Sequence, residues 1–502
     1  MTFEIVFVLL SLLGMMAALI ADKMRPGMVL FSVVVLFLGA GILTPKEMLE
    51  GFSNKGMITV ALLFLVSEGI RQSGTLGQVI KKLLPQGKTT VFKAQLRILP
   101  SVAFISAFLN NTPVVVIFAP IIKHWAKSVK LPATKFLIPL SYVTILGGIC
   151  TLIGTSTNLV VHGMILEAGY EGFTMFELGK VGIFIAIAGI IYLFIFSKRL
   201  LPDARPDTAV PDEEVEEGEK LHRVEAVLGA RFPGINKKLS DFNFQRHYGA
   251  EVKEIKTRNG QRYVNHLEDV VLREGDTLVV MADDTFIPTW GESSVFVLLT
   301  NGNDPDTSGK KKRWLALILL VLMIVGATVG ELPATKEMFP DIKLDMFFFV
   351  CITTIIMAWT NIFPARKYTK YISWDILITI ACAFAISKAM VNSGVADCVA
   401  GFIIGLSDDY GPHVLLAILF VITNLFTELI TNNAAAALAF PLALSISAQL
   451  GVSPTPFFVV ICMAASASFS TPIGYQTNLI VQGIGNYKFT DFVRIGLPLN
   501  II

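Results

Sequence analysis

GTSTNLVVHG, residues 154–163, sits between apolar runs where one continuous membrane helix would be expected. Gly154, Thr155, Ser156, Thr157 and Asn158 are poor helix interior, and backbone groups or hydroxyls left unpaired at bilayer depth cost several kcal/mol each. The stretch returns 320 positions on as GYQTNLIVQG, residues 474–483. Upstream, LNNTPVVVIFAP (109–120) returns as ITNNAAAALAFP (430–441), which pairs Asn111 with Asn432. Downstream, FTMFELGKVG (173–182) returns as FTDFVRIGLP (489–498). Three blocks recur in the same order at nearly the same spacing, so the chain is a duplication.

The chain of 502 residues is 53% hydrophobic and 16% charged, where a soluble protein carries about a quarter charged residues. Apolar runs at Phe3–Ile20, Met28–Ile42, Val181–Phe196, Leu315–Val329 and Met346–Trp359 approach the ~20 residues that cross a bilayer as helix. The fold class is a polytopic α-helical membrane protein. The first run has no basic residue before it and no small-residue cleavage site, so it reads as a membrane helix and not a signal peptide. A net charge of +2 gives no sign of a nucleic-acid partner. Cys150, Cys351, Cys382, Cys398 and Cys462 lie in or beside apolar segments without metal spacing and read as buried thiols. His162 stands close to the opening motif, but a lone histidine is more commonly a packed group than a ligand.

Charge gathers between 199 and 313. There AEVKEIKTRNGQRYV and DTLVVMADD alternate with period two around Asn259-Gly260, a β-hairpin signal, and LSDFNFQRHYG before them reads as a helix opening at Ser240 or Asp241. The chain therefore divides into a membrane half at 1–200, a small α+β domain at 212–300 and a second membrane half at 313–502. Ser197-Lys198-Arg199 and Lys310-Lys311-Lys312-Arg313 flank the insert, and basic residues at membrane ends favour its cytoplasmic placement. Lys23 and Arg25 favour a cytoplasmic first loop, whereas about six apolar segments per half favour a cytoplasmic N-terminus. The second copy stops at Ile502, about one helix short of the first, so the chain is expected to be truncated there.

A broken membrane helix is tolerable where the freed groups line a cavity or bind something. Unwound carbonyls and helix C-termini suit a hard cation such as Na⁺, and helix N-termini present N–H groups and a positive dipole end to an anion. Matched interruptions in two halves are the pattern of secondary transporters. The segments from Asn110 to about Lys123 and from Thr431 to about Gln449 each open on amides and carry a proline. Their length fits a re-entrant hairpin. Sodium is expected at Gly154–Asn158 and Gly474–Asn478 facing the hairpin tips, with Asn110, Asn111, Thr431 and Asn432 completing the two sites. Asn111, Thr112, Asn432 and Asn433 are expected to meet the anion, together with Thr155 and Tyr475. No phosphate loop, HExxH or nucleophile elbow is present, and no enzyme activity is expected. Glu428, just before the second amide pair, is a functional residue or a structural partner for a hydroxyl or amide.

TPKEMLEGFSNKGMITVALLFLVSEGI (44–70), the two hairpin motifs and the two breaks resemble the divalent anion:sodium symporter family across both membrane halves. In that family Ser-Asn-Thr signatures mark the tips of two re-entrant hairpins. The matching positions here read Asn110-Asn111-Thr112 and Thr431-Asn432-Asn433, with the central asparagine kept in both. The resemblance implies inverted repeats, sodium as the coupling ion and a small divalent anion, sulfate or a dicarboxylate, carried across the plasma (inner) membrane. The insert resembles the TrkA-C ligand-binding subdomain through LSDFNFQRHYGAEVKEIKTRNG and LREGDTLVVMA. That likeness implies a sulfate branch, a homodimer and a small effector such as a nucleotide, with one copy of the subdomain here.

Overall fold

Gly147 and Gly148 close one helix and Ser156 opens the next, so the interruption read in the sequence is a break in the computed structural model of the chain. The structure describes residues 3–21, 23–85, 87–203, 222–229, 231–257, 261–283, 286, 290, 295–300, 310–339, 342–405 and 411–502. The first half runs through α1 (Phe3–Ala21), α2 (Pro26–Gly39), α3 (Pro45–Glu50), α4 (Lys55–Gln72) and α5 (Thr75–Leu83). It continues through α6 (Val91–Ser106), α7 (Asn111–Ser128), α8 (Leu137–Gly148), α9 (Ser156–Glu167) and α10 (Gly179–Leu200). After the insert come α12 (Lys310–Gly330), α13 (Pro333–Met338), α14 (Met346–Trp359), α15 (Tyr368–Tyr371), α16 (Trp374–Asn392) and α17 (Val395–Gly405). The chain ends with α18 (Pro412–Leu429), α19 (Asn432–Leu450), α20 (Thr455–Ser466), α21 (Gln476–Gly485) and α22 (Phe489–Ile501).

Among the described residues, seven helical stretches are long and apolar enough to cross a membrane. Ile183, Phe184, Ile187, Ile191 and Ile195 of α10 are exposed, as are Ile318, Val321, Leu322 and Val325 of α12. Their spacing of three and four places each set on one helix face, an apolar stripe suited to lipid. α19, behind the second amide pair, is interior instead, with 78% of its most apolar 18 residues buried against 17% for α1.

The repeated stretches adopt matched elements. α8 and α20 are both 12 residues long. Thr155 and Tyr475, at equivalent positions, are both extended, with φ −140°, ψ 147° and φ −137°, ψ 132°. Each precedes a helix whose first N–H groups have no intrahelical partner.

The hairpin boundaries differ from the sequence expectation. Asn111–Ser128 is one helix of 18 residues with Pro120 inside it, and Asn432–Leu450 is one of 19 with Pro441 inside. The hairpins are α6–α7 and α18–α19, and their tips fall at the amide pairs. Asn110 and Thr431 are the extended N-cap positions there, a place that polar residues favour, and the prolines are absorbed within packed helices.

The insert is a five-stranded antiparallel sheet in the order β3-β2-β4-β1-β5, from β1 (His222–Leu228), β2 (Glu251–Lys256), β3 (Arg262–Tyr263), β4 (Thr277–Ala282) and β5 (Phe296–Thr300). β2 and β3 pair as expected, Ile255 with Tyr263 and Lys256 with Arg262, while Asn259-Gly260 lies outside the described residues. The expected helix does not open at Ser240 or Asp241. α11 (Phe244–Tyr248) begins later because Asn243 caps it, its side chain accepting from the Arg246 N–H at 3.0 Å. Val224, Ala226, Leu228, Ile255, Leu278 and Val280 pack with Phe232, Phe244 and Tyr248 on one face of the sheet.

Contacts at the two ends of the helices fix where the insert sits. Lys123 of α7 pairs with Glu225 of β1, and Arg231 donates to the Ile372 carbonyl ahead of α16. The Thr75 hydroxyl lies 3.5 Å from the Arg313 carbonyl at the root of α12. At the other end, Lys55 pairs with Asp345, and the Asn392 amide reaches the Ile42 carbonyl and Glu47 at 3.1 Å each.

Candidate functional site

Each break is laced internally by its asparagine. The Asn158 amide donates to the carbonyls of Gly148 at 3.3 Å and Thr151 at 2.9 Å. The Asn478 amide donates to Ser468 at 2.9 Å and Thr471 at 3.2 Å, each acceptor standing 320 positions after its counterpart. The breaks are tied to the hairpin of their own half in the same matched way. Thr151 donates its hydroxyl to the Ala107 carbonyl, and Thr471 to the Glu428 carbonyl at 3.4 Å. Ser106 Oγ lies 2.8 Å from Asn111 Oδ1, and Thr427 Oγ1 lies 3.0 Å from Asn432 Oδ1.

These ties crowd oxygens at the carbonyl ends of α6, α8, α18 and α20. A Cβ on Gly148 would come 2.6 Å from Asn111 Oδ1 and 3.1 Å from the Gly154 carbonyl. A Cβ on Gly154 would strike the Gly148 backbone, which is why both positions are glycine. Asn158 Oδ1 is buried without a hydrogen-bond partner, an acceptor that protein groups leave unsatisfied. In the second half a Cβ on Gly474 would strike Ser468 Oγ and come 2.8 Å from the Thr427 carbonyl. The Thr431 and Ser466 hydroxyls there are buried without partners, whereas Asn478 Oδ1 accepts from Ser141 at 2.7 Å. Neutral oxygens and helix C-termini form a donor set suited to a hard monovalent cation. Asn110 has no capping bond and lines a small cavity with Ser67, Ile153 and Ser156.

The hairpin tips then cross over, each reaching the break of the other half. Asn111 Nδ2 donates to the Tyr475 phenol at 2.6 Å, and Thr112 Oγ1 lies 3.3 Å from Gln476 Oε1. Asn433 Oδ1 accepts from Ser156 at 3.3 Å and Thr157 at 3.4 Å. The Tyr475 phenol also lies 3.2 Å from Thr155 Oγ1 and within hydrogen-bonding reach of Asn432. The N-termini of α7, α9, α19 and α21 therefore converge on one uncharged polar centre. Four positive dipole ends with amide and hydroxyl donors between them suit an anion.

All six expected anion residues meet at this centre. Ser106, Thr427, Ser141 and the carbonyls of Gly148 and Thr151 were not singled out from the sequence. The first two carried a signal, a hydroxyl five positions before each tip asparagine. Glu428 is a structural partner as well as a charge: its carboxylate accepts from the N–H groups of Ser470 at 2.8 Å and Thr471 at 3.0 Å and from Asn500 Nδ2 at 2.9 Å. His162 is a half-buried group near Lys55, Glu331 and Asp345, outside the centre, with a buried, unpaired Nδ1.

An apolar exterior, an interior polar centre between helix N-termini and flanking carbonyl clusters fit a polytopic membrane transporter. The chain belongs to the citrate transporter family, whose sequence model matches residues 16–446 and 342–502. At the level of the family this agrees with the likeness to divalent anion:sodium symporters. An uncharacterized transporter of Synechocystis sp. is 29% identical over 94% of this chain and 90% of its own length. A putative sulfur deprivation response regulator of Chlamydomonas reinhardtii is 28% identical, over 94% and 95%. A probable sodium/sulfate cotransporter of the same alga is 22% identical, over 96% and 85%.

Proposed function

We propose that the chain is a sodium-coupled secondary transporter that imports a small divalent anion, sulfate first and a dicarboxylate second, by alternating access. The observation that carries this reading is the convergence of the α7, α9, α19 and α21 N-termini on Asn111, Thr155, Asn432 and Tyr475. Sulfate is preferred because a full-length relative bears a sodium/sulfate cotransporter name. The family name supports a carboxylate substrate as the alternative.

Sodium at Asn110, Asn111, Gly154 and Asn158, and at Thr431, Asn432, Gly474 and Asn478, places positive charge beside the anion without a fixed Lys or Arg. Neutral donors suit release. A permanent buried cation would bind the anion too firmly or stand uncompensated when the site is empty.

The halves are read as inverted repeats. α4 starts at the Lys55–Asp345 pair and ends where Thr75 meets Arg313. Its counterpart α16 starts beside Arg231 of the insert and ends where Asn392 meets Ile42 and Glu47, so the two run in opposite senses. The charges are placed reciprocally as well. Asp345 is the counterpart of Arg25 and Lys55 of Asp375, and Asp375 stands against Gly27 within electrostatic reach of Arg25. On this reading α6–α7 turns back at its tip, and the crossings before the insert are α1, α2, α4, α8–α9 and α10, an odd number. The N-terminus and the insert then lie on opposite faces, with the basic-flanked insert cytoplasmic in a plasma (inner) membrane.

The insert's likeness to a TrkA-C subdomain extends the proposal to a homodimer with a small effector such as a nucleotide. A second reading, a membrane sensor on a transporter scaffold, is favoured by the relative named for sulfur deprivation response. Uptake of radiolabelled sulfate and succinate into proteoliposomes, with and without an inward sodium gradient, separates the readings. Accumulation of either anion that requires sodium supports transport. Binding without accumulation favours the sensor, and neither overturns both.

A further inference from the structure

We propose that Glu225 and Lys123 are positioning residues for the anion centre: through them the buried charged face of the insert's sheet holds α7, and with it Asn111, against α21. An antiparallel sheet with one apolar face ordinarily leaves its other face in water. Here the second face is covered. Along β1, Val224, Ala226 and Leu228 point into the insert's own core, while Val227 joins the core of the membrane helices. Glu254 and Lys256 of β2 and Thr277 and Val279 of β4 are buried as well.

The charges on this face form a chain that ends on the hairpin. Lys123 Nζ lies 3.1 and 3.2 Å from the two Glu225 oxygens, and Lys256 Nζ lies 3.3 Å from the first of them. Arg262 in turn donates to Glu254 at 2.9 Å. Burial alone would raise the Glu225 carboxyl, but Lys123 and Lys256 outweigh it and hold it at about 2. The same face touches the second half. A Cβ on Gly483 of α21 would strike the Thr277 hydroxyl, and Leu479 Cδ2 lies 3.5 Å from the Cβ position of Gly275.

α7 and α21 pack along each other between these two ends. At one end they are joined by Asn111–Tyr475 and Thr112–Gln476, at the other by the insert. Lys123 stands twelve positions beyond Asn111, roughly 18 Å along the helix. Pro120 lies between them, yet the helix is continuous from Asn111 to Ser128 and packs along α21, so holding one end biases where the other presents its amide.

The inference rests on the transport reading for its functional consequence but has a readout of its own. The full chain is purified as wild type, E225Q, K123M, the double variant, K123R and G483A. Amide hydrogen exchange is measured over residues 107–116 and 474–480, and sulfate KM and sodium half-saturation are measured in proteoliposomes. E225Q, K123M and G483A should speed exchange at both tips and raise KM by about two- to thirtyfold, the span of measured coupling energies. The double variant should be no worse than either single charge variant, and K123R should stay near wild type. Unchanged tip exchange in monodisperse E225Q overturns the proposal. Should E225Q and K123M fail to fold, E225D decides: it keeps the charge with a shorter reach, so faster tip exchange supports the proposal and wild-type exchange overturns it. A wild type without sodium-dependent uptake would sink the transport reading alone, since the exchange result stands apart from it.

Discussion

The phenol of Tyr475 takes the amide of Asn111 at 2.6 Å and so joins the first hairpin to the second break. The same oxygen lies 3.2 Å from Thr155 and within reach of Asn432, so one hydroxyl at the head of α21 touches groups from the other three converging helix ends. An anion entering the centre must take over donors that now satisfy one another through this phenol.

Tyr475→Phe removes that shared partner while keeping the ring. The anion loses the phenol O–H as a donor, a hydrogen bond to a charged group worth about 1.5–3 kcal/mol. The expected result is a rise in anion KM of about one order of magnitude, with sodium half-saturation close to wild type. Measured KM and half-saturation decide it. An unchanged anion KM would remove Tyr475 from the site.

The two breaks are matched in their amide bonds but not in their free oxygens. Asn158 Oδ1 is unpartnered, whereas Asn478 Oδ1 is engaged by Ser141. Replacing either asparagine by Ala should raise the sodium concentration needed for half-maximal uptake, and Asn158→Ala should raise it more. Sodium titration of uptake checks this. If both variants keep wild-type sodium dependence, the breaks do not hold the ion.

Glu428 anchors the second break where the first has only the Ala107 position. Its carboxylate receives the Ser470 and Thr471 N–H groups, and Ser468 Oγ lies 3.3 Å away. Glu428→Gln turns one acceptor oxygen into an NH₂ that faces backbone donors, leaving at least one half-buried N–H unpaired at a cost of about 1–3 kcal/mol. The expected outcome is a lower melting temperature together with weaker sodium dependence. A wild-type melting curve would show that the anchor carries no stability.

Much of this centre was legible because breaks and amide pairs are local in sequence and occur twice. Gly154–Asn158 interrupts an apolar run wherever the chain goes, and the copy at Gly474–Asn478 removes chance as an explanation. The hairpin ends were less legible, since the segments opening at Asn110 and Thr431 read as whole hairpins, whereas each runs on as one helix through its proline. Nothing in the sequence said that each tip would meet the opposite break. That pairing of Asn111 with Tyr475, and of Asn433 with Thr157, follows from how the two halves dock. The late start of α11 had a readable cause in Asn243, which competes with Ser240 and Asp241 for the cap.

Gly154→Ala tests whether the crowding of carbonyls in the first break is needed. The added methyl would meet the backbone of Gly148 rather than a flexible side chain, so the loop itself must shift. The Gly148 carbonyl is also the acceptor for Asn158, and a shift there displaces the oxygens proposed to hold sodium. Gly14→Ala is the matched control, because nothing lies within 4 Å of a Cβ at that position in α1. It should be neutral or stabilising by about 0.5–1 kcal/mol through helix propensity. Gly154→Ala should therefore abolish or strongly weaken sodium-dependent uptake in protein that still purifies as a single species, while Gly14→Ala transports normally. Wild-type sodium dependence in Gly154→Ala would mean that the break tolerates a side chain, and the close approach of Gly148 and Gly154 would have no part in binding the ion.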